Sequence, residues 1–154
     1  MFDVEGIIEG IIEVYQAELN AKIASVDAQK DTPLMKEIPQ DGYTTDLNES
    51  VSNFDPFVIV SEVSNDVESQ GQSSSETVTI SVVVIAEDSG ETPMYRTMLR
   101  YRRCLKEVAN DNWKKLHNEL RFKLKSLSPI ALTNLDSSAN YKAIGIVLET
   151  SFNN

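Results

Sequence analysis

The sequence predicts an α+β fold in the order α-β-β-α-β-β: a mainly antiparallel sheet with a long β-hairpin, packed against two helices. Three observations predict it. Apolar residues recur at helical spacing from Val4 to Val26, they alternate with polar ones from Thr77 to Val84, and a second helical stripe follows Pro93.

In the first helix, from Asp3 to the mid-twenties, Val4, Ile8, Ile11, Tyr15, Leu19 and Val26 share one stripe, widened by Ile7 and Ile12. Glu5, Glu9, Glu13, Gln16 and Asn20 form a polar flank, and Asp3 and Glu5 suit the positive end of the helix dipole. Gly6, Gly10, Ala17, Ala21 and Ala24 form a third strip of small residues. Glycine costs about 1 kcal/mol against alanine inside a helix, so the two glycines need a reason. Either another backbone approaches closely, for instance from a second subunit, or the first turn frays. Pro33 and Pro39 end the helix.

Glu37 to Asn53 is polar and turn-forming, with Asp41-Gly42 as its clearest turn. An extended segment follows Pro56 through Val63, and the polar stretch Ser64 to Glu76 reads as a long mobile loop before the alternating strand. In the helix after Pro93, Met94, Met98, Tyr101, Leu105, Val108 and Ala109 form the stripe, with Arg96, Arg100, Arg103 and Glu107 opposite. Leu120, Phe122 and Leu124 alternate with Arg121, Lys123 and Lys125 as a one-sided strand. Pro129 to Asn140 reads as loop, and Tyr141 to Phe152 as the closing strand.

A length of 154 residues suits one domain, 1–154, able to fold without disulfide or metal. One cysteine, Cys104, and one histidine, His117, exclude an internal disulfide and most multi-ligand metal centres. No apolar run approaches the ~20 residues of a membrane span, and the acidic start lacks a signal peptide's basic region. These features lead us to expect a soluble cytosolic domain with no membrane partner.

The net charge of −10 is uneven: residues 1–92 carry −16 and residues 93–154 carry +6. Such asymmetry fits nucleic-acid binding, copies packing acidic face to basic face, or a simply solvated surface. Residues 94–125 hold ten basic residues interleaved with Tyr95, Tyr101, Trp113 and Phe122, a pattern suited to phosphate contact and base stacking. Against it, Tyr101 lies on the core side of the wheel and the rest of the chain is acidic.

No catalytic constellation emerges, and we expect no enzyme activity and no cofactor. The six glycines form neither a phosphate loop nor a dinucleotide fingerprint. Cys104 sits among cations that would lower its pKa, yet on the flank of an apolar stripe, where it reads as structural. His117 has no histidine or cysteine partner, the acidic pairs Glu87-Asp88 and Glu9/Glu13 are what 24 acidic residues produce by chance, and Ser73-Ser74-Ser75 lies in a flexible tip.

Several features occur together: the amphipathic helix Val4 to Val26, the proline-led strand Pro56-Phe57-Val58-Ile59-Val60, and the hairpin into Thr77 to Val84. Glu87-Asp88, the helix after Pro93 and the C-terminal strand Ala143 to Glu149 complete the set. This arrangement resembles the tail terminator proteins of long-tailed bacteriophages and their relatives in the virus neck. The resemblance implies a virion protein, assembled in the host cytoplasm, forming a homohexameric ring on the head-proximal end of the tail tube. Such a ring stops tube polymerisation, joins a head-side connector and passes genomic DNA through its lumen without specific binding. The runner-up is another neck component, such as a head-completion or connector protein; from a different class, the basic residues leave a basic-helix nucleic-acid-binding module as the alternative.

In a ring, two different patches of each subunit meet. Arg96, Arg100 and Arg103 are expected to face solvent or a partner, with Glu5, Glu9 and Glu13 of the adjacent subunit as the acidic counterpart. Asn65, Asp66, Glu68, Gln70 and Gln72 are the expected loop contacts with the tube or a neighbour.

Overall fold

The computed structural model describes residues 3–45, 54–116, 119–136 and 139–153, with the side chains of 132–136 and 139 left aside. His117 and residues 46–53 of the polar stretch Glu37 to Asn53 lie outside the described residues. The elements are α1 (Val4–Ala28), β1 (Tyr43–Thr44), β2 (Phe57–Gln70), β3 (Ser73–Glu87), α2 (Met94–Asp111), β4 (Phe122–Leu127), β5 (Ala131–Asp136) and β6 (Ala139–Asn153). The fold is α+β, as the periodicities predict, with β1 and β5 as additions. The expected loop after Pro129 holds a strand, because β5 continues the line of β4 along the same flank of β6.

The strands form one six-stranded sheet in the order β1-β2-β3-β6-β4, with β5 also on β6. All pairings are antiparallel except β1 with β2. One face carries Val58, Val60, Val78, Ile80, Val82, Val84, Ile144, Ile146, Leu148 and Phe152, and both helices bury their stripes against it. On the opposite face Phe57, Ile59, Ile85 and Ala143 form a smaller buried cluster. Gly145, opposite Val83, sits where β6 and β3 approach so closely that a Cβ would collide with the Val82 carbonyl oxygen.

Local chemistry sets the helix ends. Asp3 caps α1 by accepting the Gly6 N–H at 2.7 Å. Pro93 precedes the first residue of α2, and its carbonyl accepts from both the Thr97 N–H and hydroxyl. Asn112 closes α2 by donating its backbone N–H and side-chain amide to the Val108 carbonyl. Gly10 answers the question its position raises: the close backbone is the chain's own Leu116 carbonyl, 3.1 Å from where a Cβ would stand. Ala17, Ala21 and Ala24 are exposed.

The connection from α1 to β1 has almost no regular structure and is held by side chains. The Asn20 amide donates to the Ile38 carbonyl and accepts from its N–H. The Tyr101 hydroxyl donates to the Lys36 carbonyl and accepts from its N–H. Asp27 accepts from the N–H groups of Leu34 and Met35. These bonds give partners to backbone groups that would otherwise be left unsatisfied.

Candidate functional site

The stretch from Ser64 to Glu76, expected as a mobile loop, is continuous antiparallel strand on both sides of a two-residue turn at Gly71 and Gln72. Gly71 has φ +65 and Gln72 a negative φ, the signs of a type II′ turn. The stretch is strand despite its polarity because strand pairing satisfies backbone groups whatever the side chains are, and β3 is braced by β6 up to Asn153. Hydroxyl contacts tie the strands together, Ser61 to Ser81 at 3.2 Å and Thr77 to Ser151 at 3.0 Å.

Of the expected contact residues, Asn65, Asp66, Glu68 and Gln70 lie on β2 and Gln72 in the turn, all exposed. Asn65 reaches across to Glu76 at 3.4 Å. β1 covers β2 only at Val58 and Ile59, so among the described residues the outer flank of β2 from Val60 to Gln70 has no strand partner. Val63, at a register shift after Glu62, and Val67 are each 58% exposed there. The opposite end of the sheet is β4, whose outer flank is likewise unpaired among the described residues. Lys123 and Lys125 of β4 both reach Glu149, at 3.0 and 3.3 Å, and hold its carboxyl below the usual carboxylate range. Two cations on one carboxylate leave a surplus positive charge at this edge. Sequence alternation had shown β4 but not that its lysines converge on Glu149.

The arginine set divides. Arg96 is exposed. Arg100, expected to face solvent or a partner, instead turns inward: its Nη1 lies 2.9 Å from Asp27 Oδ1 and 2.6 Å from the Thr32 carbonyl. Arg103 donates to Gln29 Oε1 at 2.7 Å and stands 3.3 Å from Glu107. Both therefore fasten the segment after α1 to α2 within one chain, because the last turn of α1 crosses beside them. Glu5, Glu9 and Glu13 are exposed.

Cys104 is fully buried, its Sγ 3.8 Å from Met35 Sδ, and burial pushes its thiol up to about 12. Desolvation, aided by Glu107 and Asp27, outweighs Arg103 and Lys22, so the cations do not activate it. Trp113 is 39% exposed, with Lys114 and Arg121 within 5.2 and 5.9 Å of its ring. Arg102, also on α2, donates to the Ser128 carbonyl. With Arg100, Arg102 and Arg103 all engaged internally, the basic helix is a poorer nucleic-acid surface than its sequence suggests. A cavity of about 50 Å³ beside Lys36, Asp55 and Tyr101 has room for no more than a few waters. Among the described residues no group of three or more His, Cys, Asp or Glu gathers as a metal site, and no helix is long and apolar enough to cross a membrane.

No family model matches the chain, and no curated protein matches it. Among solved structures, it is similar to a chain of the virion of a native gene transfer agent particle, with 10% identity and a TM-score of 0.42. The alignment covers 94% of this chain and 98% of that one.

Proposed function

We propose that this protein is a structural virion component of the tail-terminator type. It assembles as a homohexameric ring that caps the head-proximal end of a phage tail tube, stops tube polymerisation and offers a surface to a head-side connector. It has no catalytic role. The observation that carries the reading is the outer flank of β2 from Val60 to Gln70, which has no strand partner among the described residues. A strand edge of this length, with two exposed valines, is a template for pairing and calls for a partner. The element order and the long hairpin match the resemblance drawn from the sequence. The net charge of −10 lets DNA pass through a lumen without adhering to its wall.

The test is mass measurement of the purified chain combined with negative-stain imaging, alone and with purified tail tubes. A closed six-membered ring seated on one tube end supports the proposal. A monomer that ignores tubes overturns it. A ring that binds isolated head connectors but not tubes assigns the protein to the neck as a connector component instead.

A further inference from the structure

We propose that the exposed surface built by Trp113, Lys114 and Arg121 docks the first turns of α1 of a second copy of this chain, through Glu5, Glu9 and Glu13. The inference rests on the ring reading and names the surfaces through which its subunits meet.

The cationic side is held in place by an aromatic ring. Trp113 follows Asn112, the residue that closes α2, and Arg121 immediately precedes β4. The Lys114 Nζ lies 5.2 Å and the Arg121 guanidinium carbon 5.9 Å from the Trp113 ring centre. A cation held over an indole has lost part of its freedom, so both charges are set before a partner arrives. The neighbouring lysines are engaged elsewhere, Lys115 with Glu18, and Lys123 and Lys125 with Glu149. Among the described residues, Lys114 and Arg121 have no carboxylate within ion-pair reach.

The anionic side is also without a counterpart. Glu9, Glu13, Gln16 and Asn20 recur at i, i+4, i+7 and i+11 as one stripe of α1. Gln16 and Asn20 donate to the carbonyls of Gln40 and Ile38, so the following segment covers the later half of the stripe. Glu9 and Glu13, with Glu5 one turn earlier, stay exposed and meet no cation among the described residues. Gly6, exposed beside them, presents no side chain to an approaching indole.

Spacing and placement agree. The two cations stand no further apart than the sum of their distances to the ring centre, about 11 Å. Along the helix Glu5 to Glu9 spans about 6 Å and Glu5 to Glu13 about 12 Å. Within one chain the two sets are held apart. Leu116 and Lys115 lie against Gly10 and Glu18 on one side of α1, while the glutamate stripe runs on the side of Ile38 and Gln40. Unlike patches on different sides of one subunit make a heterologous contact, the kind that closes a ring. Nucleic acid is the poorer occupant: both cations already lie over the indole where a base would stack, and the chain carries −10 overall.

Zero-length carbodiimide coupling of isotope-labelled and unlabelled full chains, mixed before assembly, tests the contact. The expected product joins a Lys114 peptide of one copy to a peptide holding Glu5, Glu9 and Glu13 of another. Separately, Lys114→Glu with Arg121→Glu should weaken assembly roughly tenfold or more, and adding Glu9→Lys with Glu13→Lys should restore it. Circular dichroism confirms that each variant is folded. Trp113 is the only tryptophan, so its emission should move to shorter wavelength as copies assemble and stay unchanged in the Lys114→Glu, Arg121→Glu chain. If the unaltered chain forms rings that give no such product and ignore the charge reversals, the contact is wrong while the ring stands. If rings persist but the reversals abolish binding of a duplex DNA fragment at physiological salt, the surface serves nucleic acid and the proposal is overturned. If the unaltered chain stays monomeric at high concentration and on tubes, the contact and the ring both fall.

Discussion

Arg100 Nη1 stands 2.9 Å from Asp27 Oδ1, joining α2 to the last turn of α1 through side chains only 12% and 9% exposed. The same carboxylate accepts two backbone N–H groups from the following segment. One carboxylate thus ties α1, α2 and the backbone at Leu34 and Met35 together.

Removing either partner leaves a charge with its counterpart gone in a water-poor site. Arg100→Ala or Asp27→Ala should cost about 3–5 kcal/mol, and Arg100→Glu more, since it sets a new carboxylate against that of Asp27. Arg96→Glu, at an exposed position, should fall within about 0.5 kcal/mol of the native chain. Urea unfolding of the variants checks both, and equal effects at the two positions would contradict the inward placement of Arg100.

Gly145→Ala should destabilise by about 1–3 kcal/mol, because the new methyl meets the Val82 backbone rather than a side chain that could move aside. A thermal or denaturant midpoint unchanged from the native chain would show that β3 and β6 separate at little cost.

The thiol of Cys104 should resist a thiol-reactive dye in the native protein and react only on unfolding. Its folded pKa is raised to about 12, so the unfolded chain loses the proton first, near pH 8.5. Its contribution is complete below that pH and is lost as pH rises toward the folded value. Between pH ~8.5 and ~10, before the tyrosines titrate in the unfolded chain, stability should fall, and Cys104→Ala should flatten that slope. Denaturant midpoints across this window decide it.

Glu149 has the opposite sign. Hydrogen bonds from Lys123 and Lys125 depress its pKa, so its contribution is present above the unfolded value of ~4.3 and is lost as pH falls through the folded one. Glu149→Gln should lower the melting midpoint at pH 7, leaving two neighbouring lysines to repel each other. The difference from the native chain should shrink as pH drops below about 4.

By itself, the sequence determined both helices, the aliphatic halves of the hairpin strands and the closing strand, because their side chains are buried on one face and burial imposes a readable period. The extents of α1 and α2 follow from the stripes through Val26 and Ala109. Tertiary structure alone decided the rest. Ser64 to Glu76 is strand because its backbone is paired by β2, β3 and β6, and pairing places no demand on side-chain polarity. Arg100 lies opposite the apolar stripe yet points inward, because its partner is 73 residues away in the chain and reaches it only when α1 crosses α2. The same holds for the two flanks left unpaired among the described residues: alternation marks β2 and β4 as strands, but only the strand order puts the acidic flank of β2 and the basic flank of β4 on opposite sides of a single sheet.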